Sequence, residues 1–321
     1  MNLRSGCERS RRRRLPAFVG CLSLPCLLLA ASGAQASSTT DSQSAPAAAA
    51  PPAAAAPPVT ATAAPPAAVA SPAAAAPATI EDKSLPDERY IALGLAAYDH
   101  DWTGRDLGHA GDRLKSLARI HPDQLPRFES EKSGKMFARL AAPADSSFFR
   151  RRSLSLGVRL PEALEWFQAS GALFELYLSE FAAKQVASAD LVEMIGAVLR
   201  NCVVVVDVVD ELVAKLPKDD PDYQERMAGL DQMRGGLAEV LDGAISGLTE
   251  EQYGIGARLK LLGYCRETFP SIAPRLTAPS QAEVRQRLDA LTAGPQPREL
   301  QPQLVLLRDA VHAATQADSR Q

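Results

Sequence analysis

From Glu81 onward, hydrophobic residues recur at steps of three and four positions, which is the spacing of one face of an α-helix. The longest such run extends from Ser188 to Leu216, and apolar residues cover most of its circumference. Residues 203–206 are all valine and favour a strand as the alternative, but the helical period of the whole run outweighs them. The pattern therefore predicts that this run is the central helix.

The same period predicts further helices on both sides of this run. Their starts are expected at residues that suit a helix N-terminus, namely Thr103, Pro161, Ser188, Asp220, Thr249 and Ser280. Residues 81–321 are thus predicted to form an all-α bundle of about seven or eight helices, with a break near 141–160 where the helical period is lost. Gly229, Gly236 and Gly243 recur every seven residues, which predicts close approach of another helix; their tolerance as isolated glycines is the alternative.

The N-terminus has the three-part pattern of a secretory signal peptide. Residues 1–14 contain six arginines and one glutamate, residues 15–31 carry no charge, and a small-x-small sequence ends at Ala36. This pattern predicts a signal peptide over residues 1–36, cleaved after Ala36. An uncleaved anchor is disfavoured because prolines and serines interrupt an apolar run shorter than the roughly 20 residues that span a membrane. A twin-arginine signal and a lipoprotein signal at Cys21 are further alternatives.

Residues 37–80 differ in composition from the rest of the chain. They contain 20 alanines and 9 prolines, and no charge lies between Asp41 and Glu81. Such a segment has few large apolar side chains to bury, so burial cannot offset the entropy of ordering it. Repeated proline pairs also disfavour helix. Residues 37–80 are therefore predicted to be a disordered, extended linker.

Cleavage after Ala36 would change the charge and the cysteine content. The formal net charge would go from −3 to −8 at pH 7, because the signal peptide carries six of the basic residues and one acidic residue. A strongly acidic domain is a poor match for nucleic acid. Two cysteines would remain, Cys202 and Cys265, and they form either a disulfide in an oxidising compartment or two separate buried thiols.

No later segment is apolar enough to be a transmembrane helix. The best run, 194–206, is interrupted by Arg200 and Asn201. Together with the signal peptide, this predicts a protein without a transmembrane segment after cleavage, exported to the periplasm or the extracellular space of a bacterial source.

Known catalytic motifs are missing from the sequence. The run Ser133-Gly134-Lys135 lacks the first glycine of a phosphate-binding loop, and Met136 stands where Ser or Thr would coordinate magnesium. No Gly-x-Ser-x-Gly, His-Glu-x-x-His or Cys-x-x-Cys occurs. The sequence therefore predicts no catalytic residue, no metal ligand and no cofactor, and a protein that is not an enzyme.

Residues 98–139 have the most unusual composition in the chain. Three of the four histidines lie there among several aspartates, and the segment 121–128 holds two prolines and an aromatic residue. Ordered loops of this kind often carry function. The candidate partner- or ligand-binding residues are Trp102, His109, His121, Arg127 and Phe128.

These features lead us to expect an exported, non-enzymatic helical domain that binds a protein partner. One alternative is a helical pocket for a small apolar ligand, formed by the aromatic-rich helix over 161–185 and the valine-rich helix beside it. A second alternative is a metal-dependent hydrolase that uses the Asp/His cluster over residues 99–123.

Overall fold

A computed structural model of the chain describes residues 80–95, 102–141 and 154–318. The predicted signal peptide lies outside the described residues, and so does the predicted linker up to residue 79. Much of the break predicted near 141–160 is likewise not described, but residues 156–160 are helical rather than a loop.

Every regular element in the described part of the chain is helical. The α-helices are α1 (Asp87–Ala92), α2 (Gly104–Ala118), α3 (Gly134–Ala141), α4 (Leu156–Ala182), α5 (Ser188–Lys215), α6 (Tyr223–Thr249), α7 (Ile255–Ile272), α8 (Ala278–Ala293) and α9 (Gln301–Asp318). Short 3-10 turns cover Pro122–Gln124 and Ala273–Arg275. The predicted all-α fold is confirmed. The described residues form nine helices because α1 and α3, with 6 and 8 residues, are too short to show a helical period in the sequence.

Helix α5 is the most buried helix and packs against α4 and α7. Its valine run 203–206 is helical, so the strand alternative is wrong. Most of the predicted apolar face is buried, namely Leu191, Ile195, Val198, Cys202, Val205 and Val209. Nearly the whole circumference of the helix is therefore covered by its neighbours.

Helices α4 and α5 are antiparallel, and polar contacts fix their register. The Arg159 guanidinium near the start of α4 donates to Glu211 near the end of α5 at 2.6 Å. Further along the pair, the Asn201 amide donates to the Ser170 hydroxyl at 2.5 Å, although both side chains are buried among apolar residues. A shifted register would take the buried Asn201 amide away from this acceptor, which is costly.

The predicted start of α4 at Pro161 is wrong. The helix begins at Leu156, five residues earlier, and Pro161 lies inside it. Proline at this position lacks the N–H that would bond the carbonyl of Gly157. The loss is a single hydrogen bond near the helix end, so the apolar contacts of α4 outweigh it.

The predicted start of α2 is confirmed, whereas that of α5 needs correction. The Thr103 side chain accepts from the N–H of Asp106, and the Asp106 carboxylate accepts from the N–H of Thr103, which is a capping box. Ser188 is the first residue of α5 rather than its cap. The capping group is the carboxylate of Asp190, which accepts from the N–H of Ala187 at 2.9 Å.

Three further predicted starts are also displaced. Helix α6 begins at Tyr223 instead of Asp220, and α7 begins at Ile255 instead of Thr249, which is the last residue of α6. Helix α8 begins two residues before Ser280. Polar residues that can cap a helix occur close together in these turns, so local sequence does not decide between them.

Among the C-terminal helices, α7 packs against α6 and α9, and α8 also packs against α6 and α9. Their buried side chains include the predicted faces Val284, Leu288 and Leu291 of α8, and Leu304, Leu307 and Val311 of α9. Among the described residues, none of the helices has the length and hydropathy needed to span a membrane.

Candidate functional site

The loop between α2 and α3, here called the 121–133 loop, is held by two buried tyrosines. The Tyr90 hydroxyl of α1 donates to the carbonyl of Gln124 at 2.5 Å. The Tyr177 hydroxyl of α4 donates to the carbonyl of Pro126 at 2.7 Å. Burial raises the pKa of both tyrosines above the ordinary value, so the hydroxyls remain donors. The loop is thus fixed at two main-chain carbonyls.

Asp190 joins this loop to the start of the central helix. Its carboxylate, which is almost completely buried, accepts from the N–H of Phe128 at 2.7 Å as well as from that of Ala187. The Nε of Arg127 lies 3.5 Å from the same carboxylate. Burial raises the pKa of Asp190, while the two hydrogen bonds and the Arg127 charge act in the opposite direction. One carboxylate therefore caps α5 and orients the loop.

Arg127 extends this connection to the first described residues. Its Nη1 donates to the carbonyls of Ile80 and Glu81 at 3.3 and 3.4 Å. Its own N–H donates to the Ser133 hydroxyl at 3.0 Å. The side chain of Arg127 therefore bridges Asp190 and the chain that leads into α1.

A second carboxylate, Asp82, lies with Arg127 and Asp190 in a cleft beside the 121–133 loop. It accepts from the hydroxyls of Ser84 and Ser130 at 2.5 and 2.8 Å. Burial alone would raise the pKa of Asp82, but these hydrogen bonds outweigh it and the pKa lies below its ordinary value. The cleft encloses about 180 Å³. Both carboxylates accept hydrogen bonds from the protein, and these bonds help to order the loop.

Phe128 is partly exposed although its position is fixed. It retains 36% of its accessible surface. Its ring meets Phe137 edge to face, with the ring centroids 5.9 Å apart. The ammonium of Lys260, on α7, lies 4.1 Å from the Phe128 ring centroid, within the range of a cation–π interaction. Backbone, ring edge and ring face are therefore all held by different neighbours.

Lys260 belongs to a polar cluster between α5 and α7. It forms an ion pair with Glu193, which also accepts from the Tyr264 hydroxyl at 2.8 Å. Burial, followed by the Glu193 carboxylate, raises the pKa of Tyr264 to about 12. Glu193 is buried although it is charged, and these partners supply the hydrogen bonds that water would otherwise provide.

Gly196 makes room for Tyr264 in this cluster. A Cβ at position 196 would lie 2.5 Å from Cε2 of the tyrosine ring. The guanidinium carbon of Arg200 lies 4.8 Å from the centroid of the same ring. Sequence reasoning missed this cluster. The available signal was the spacing of Glu193, Gly196 and Arg200, which places them on one helix face.

The structure does not bring all five candidate binding residues together. Arg127 and Phe128 meet at Asp190, as described above. Trp102 is buried, and the Arg139 guanidinium carbon lies 5.1 Å from the Trp102 ring centroid. His109 and His121 are exposed, on α2 and just after it. None of these three has a recorded contact with Arg127 or Phe128 among the described residues.

The Asp/His cluster over 99–123 is only partly described. Asp99, His100 and Asp101 lie outside the described residues. Asp106 belongs to the capping box of α2. Within the described part of the chain, no group of three His, Cys, Asp or Glu side chains is arranged to hold a metal ion.

Cys202 and Cys265 are free, buried thiols on α5 and α7. Of the two alternatives drawn from the sequence, the structure has the separate thiols and not the disulfide. Burial raises the pKa of both thiols above the ordinary value. Neither cysteine therefore has the character of a reactive thiolate.

A narrow crevice opens between α4, α5 and α6. Its lining comprises Phe174, Leu178, Phe181, Ile195, Gly243, Ser246, Gly247, Glu250, Gln252 and Tyr253. It lies where the aromatic-rich and valine-rich helices meet, as the apolar-ligand alternative requires. Its free volume is about 40 Å³, which holds about three groups the size of a water molecule. Only a small alkyl group fits without movement of the walls.

No protein-family model matches the sequence, and comparisons with curated proteins and with solved structures find no match either.

Proposed function

We propose that this chain is an exported, non-enzymatic helical domain that binds a protein partner through the 121–133 loop. The binding surface would be centred on Phe128 and Lys260, which we call the Phe128 surface. The carrying observation is that Phe128 is partly exposed while its backbone and ring are held by residues of three different elements.

A fixed aromatic side chain is well suited to protein recognition. Aromatic residues are enriched at the few interface positions that contribute most of the binding energy. Ordering a side chain on binding costs roughly 0.5–1.5 kcal/mol. Because Phe128 is already ordered by Asp190, Phe137 and Lys260, that cost is reduced.

Export is part of the proposal and rests on the sequence. A signal peptide over 1–36 would direct the chain out of the cytoplasm, to a periplasmic or extracellular location. A linker over 37–80 would let the helical domain reach a partner at a distance from its point of attachment. The acidic charge of the mature chain supports a protein partner and not a nucleic acid.

Site-specific photo-crosslinking tests the proposed surface. The full chain would be exported from cells with p-benzoylphenylalanine in place of Phe128, and irradiated there. The control carries the same photoreactive residue in place of Leu306, which is 49% exposed on α9. We expect a discrete adduct with one protein at position 128 and none at position 306.

Competition with unlabelled chain tests whether the adduct is specific. Excess wild-type chain should suppress the adduct, whereas an equal excess of the Phe128→Ala variant should not. Thermal unfolding of the variant checks that it is folded. Equal adducts at both positions, or equal competition by both chains, would show that Phe128 does not form the partner surface.

A further inference from the structure

The crevice between α4, α5 and α6 has a polar mouth in addition to its apolar walls. Tyr253 is 6% exposed, and its ring meets Phe181 edge to face with the centroids 5.4 Å apart. Its hydroxyl makes no hydrogen bond with the described residues. Burial, followed by the Glu250 carboxylate, raises the pKa of Tyr253 above its ordinary value. A hydroxyl at the mouth without a protein partner is free to accept a hydrogen bond from a bound group.

The remaining polar groups at the mouth differ in whether they are already satisfied. The Ser246 hydroxyl donates to the carbonyl of Asp242 at 3.0 Å and accepts from Arg287 at 2.9 Å. Arg287 in turn forms an ion pair with Asp242, which offsets its charge. The Glu250 carboxylate accepts only a long hydrogen bond, 3.4 Å, from the N–H of Gln252. Glu250 and Tyr253 therefore both have free acceptor capacity at the mouth.

Free hydrogen-bond acceptors next to a carboxylate favour a ligand that donates hydrogen bonds and carries positive charge. An ammonium group has three donors and no acceptor. The walls formed by Phe174, Leu178 and Ile195 suit an alkyl group, and the free volume limits that group to about three carbons.

We propose that this crevice binds small alkylammonium compounds. The alkyl group would lie between α4 and α5, and the ammonium would donate to Glu250 and Tyr253. This site is separate from the Phe128 surface, and it does not depend on the proposed partner binding.

A titration of the full chain with methyl-, ethyl-, propyl-, butyl- and hexylamine tests the proposal. NMR would follow the amide of Gly247 in the crevice floor and the ring signals of Tyr253, assigned by their loss in Tyr253→Phe. Affinity should rise about fourfold with each methylene that enters the crevice, as expected for burying one such group. It should level off beyond propylamine, because the free volume is then filled.

Ligands with other head groups, and variants of the chain, distinguish binding in the crevice from non-specific adsorption. Propylamine should bind more tightly than propan-1-ol, and propionate should bind least. Glu250→Gln should weaken propylamine binding about three- to fivefold, in the range of a partly exposed ion pair. Tyr253→Phe should weaken it as well. The matched control Glu299→Gln removes an exposed carboxylate that does not line the crevice, and should leave binding unchanged.

Four outcomes would overturn the proposal. One is an unshifted Gly247 amide throughout the propylamine titration. Another is equal affinity for propylamine and propan-1-ol, which would remove the role of Glu250. The other two are an affinity that keeps rising up to hexylamine and an equal loss in Glu299→Gln, since either would indicate non-specific association.

Discussion

Replacement of Gly196 by alanine tests the packing of α5 against α7, which also places Lys260 over Phe128. The added Cβ would meet Cε2, Cδ2 and Cγ of Tyr264 at 2.5, 2.6 and 2.9 Å. The contact runs along one edge of the ring, so a small rotation does not relieve it. Tyr264 is also restrained by its hydrogen bond to Glu193 and by Arg200 against its ring. We therefore expect the ring to be displaced.

The magnitude follows from three contributions. Overpacking a buried contact costs about 1–3 kcal/mol. Loss of a hydrogen bond to a charged group costs about 1.5–3 kcal/mol, if the displaced tyrosine no longer reaches Glu193. Alanine is favoured over glycine in a helix by about 1 kcal/mol, which partly offsets these losses. With the hydrogen bond to Glu193 lost, we expect Gly196→Ala to lower the free energy of unfolding by about 1.5–5 kcal/mol.

Gly263→Ala is the matched control. Gly263 also lies inside a helix, α7, but a Cβ there would meet no atom within 4 Å. Only the helix propensity then changes, and we expect a gain of about 0.5–1 kcal/mol. Urea and thermal unfolding followed by circular dichroism would measure both variants. A domain of this size shifts its Tm by about 2–4 °C per kcal/mol.

A double mutant identifies the cause of the loss. In a Tyr264→Leu background the ring edge is absent, so Gly196→Ala should cost much less, and the difference is the interaction between the two positions. The reasoning is refuted if Gly196→Ala stabilises the wild-type chain as Gly263→Ala does, or if its cost is the same with and without the tyrosine.

Three shorter predictions concern other contacts. Gly104→Ala should destabilise the chain more than Gly196→Ala in urea unfolding, because its Cβ would lie 2.6 Å from the backbone nitrogen of Trp166. Asp190→Asn should lower stability by about 1–3 kcal/mol. Because burial raises the pKa of Asp190, the advantage of the wild type should be largest below pH 3.8 and shrink as pH rises, in unfolding measured across pH; an advantage that grows would contradict this. A thiol reagent should label Cys202 and Cys265 only after unfolding, and rapid labelling of the folded chain would contradict their burial.

The helices and their buried faces could be predicted because helical periodicity is a local property. Leu107, Ala110 and Leu114, for example, recur at steps of three and four on α2 and are buried together. Helix ends were predicted less well, because tertiary contacts select among several local capping residues. At the start of α5, for example, Asp190 caps the helix while it also binds the loop, and Ser188 does not.

Only part of the candidate site could be predicted from the sequence. Two prolines beside Arg127 and Phe128 marked the 121–133 loop. The residues that bond to one another here are far apart in the sequence. Asp190, which binds the loop, is 62 residues from Phe128, and Tyr264 is 71 residues from its hydrogen-bond partner Glu193. The glycine spacing drew attention to Gly229, Gly236 and Gly243, whereas the glycine that fits under Tyr264 is Gly196. The helical period predicts on which face of its own helix a residue lies, but it does not predict which face of another helix packs against it.

The dependence of Phe128 on distant elements is also the reason to prefer it over the histidines as a binding residue. His109 and His121 are exposed on the outside of the bundle. Phe128, by contrast, is held through its backbone by the first turn of α5, at its edge by α3 and at its face by α7. The ion pair of Lys260 with Glu193 connects the last of these contacts to the helix that Asp190 caps. The exposed ring is therefore positioned by three helices of the bundle, and under the proposed function it would offer a partner an ordered apolar contact.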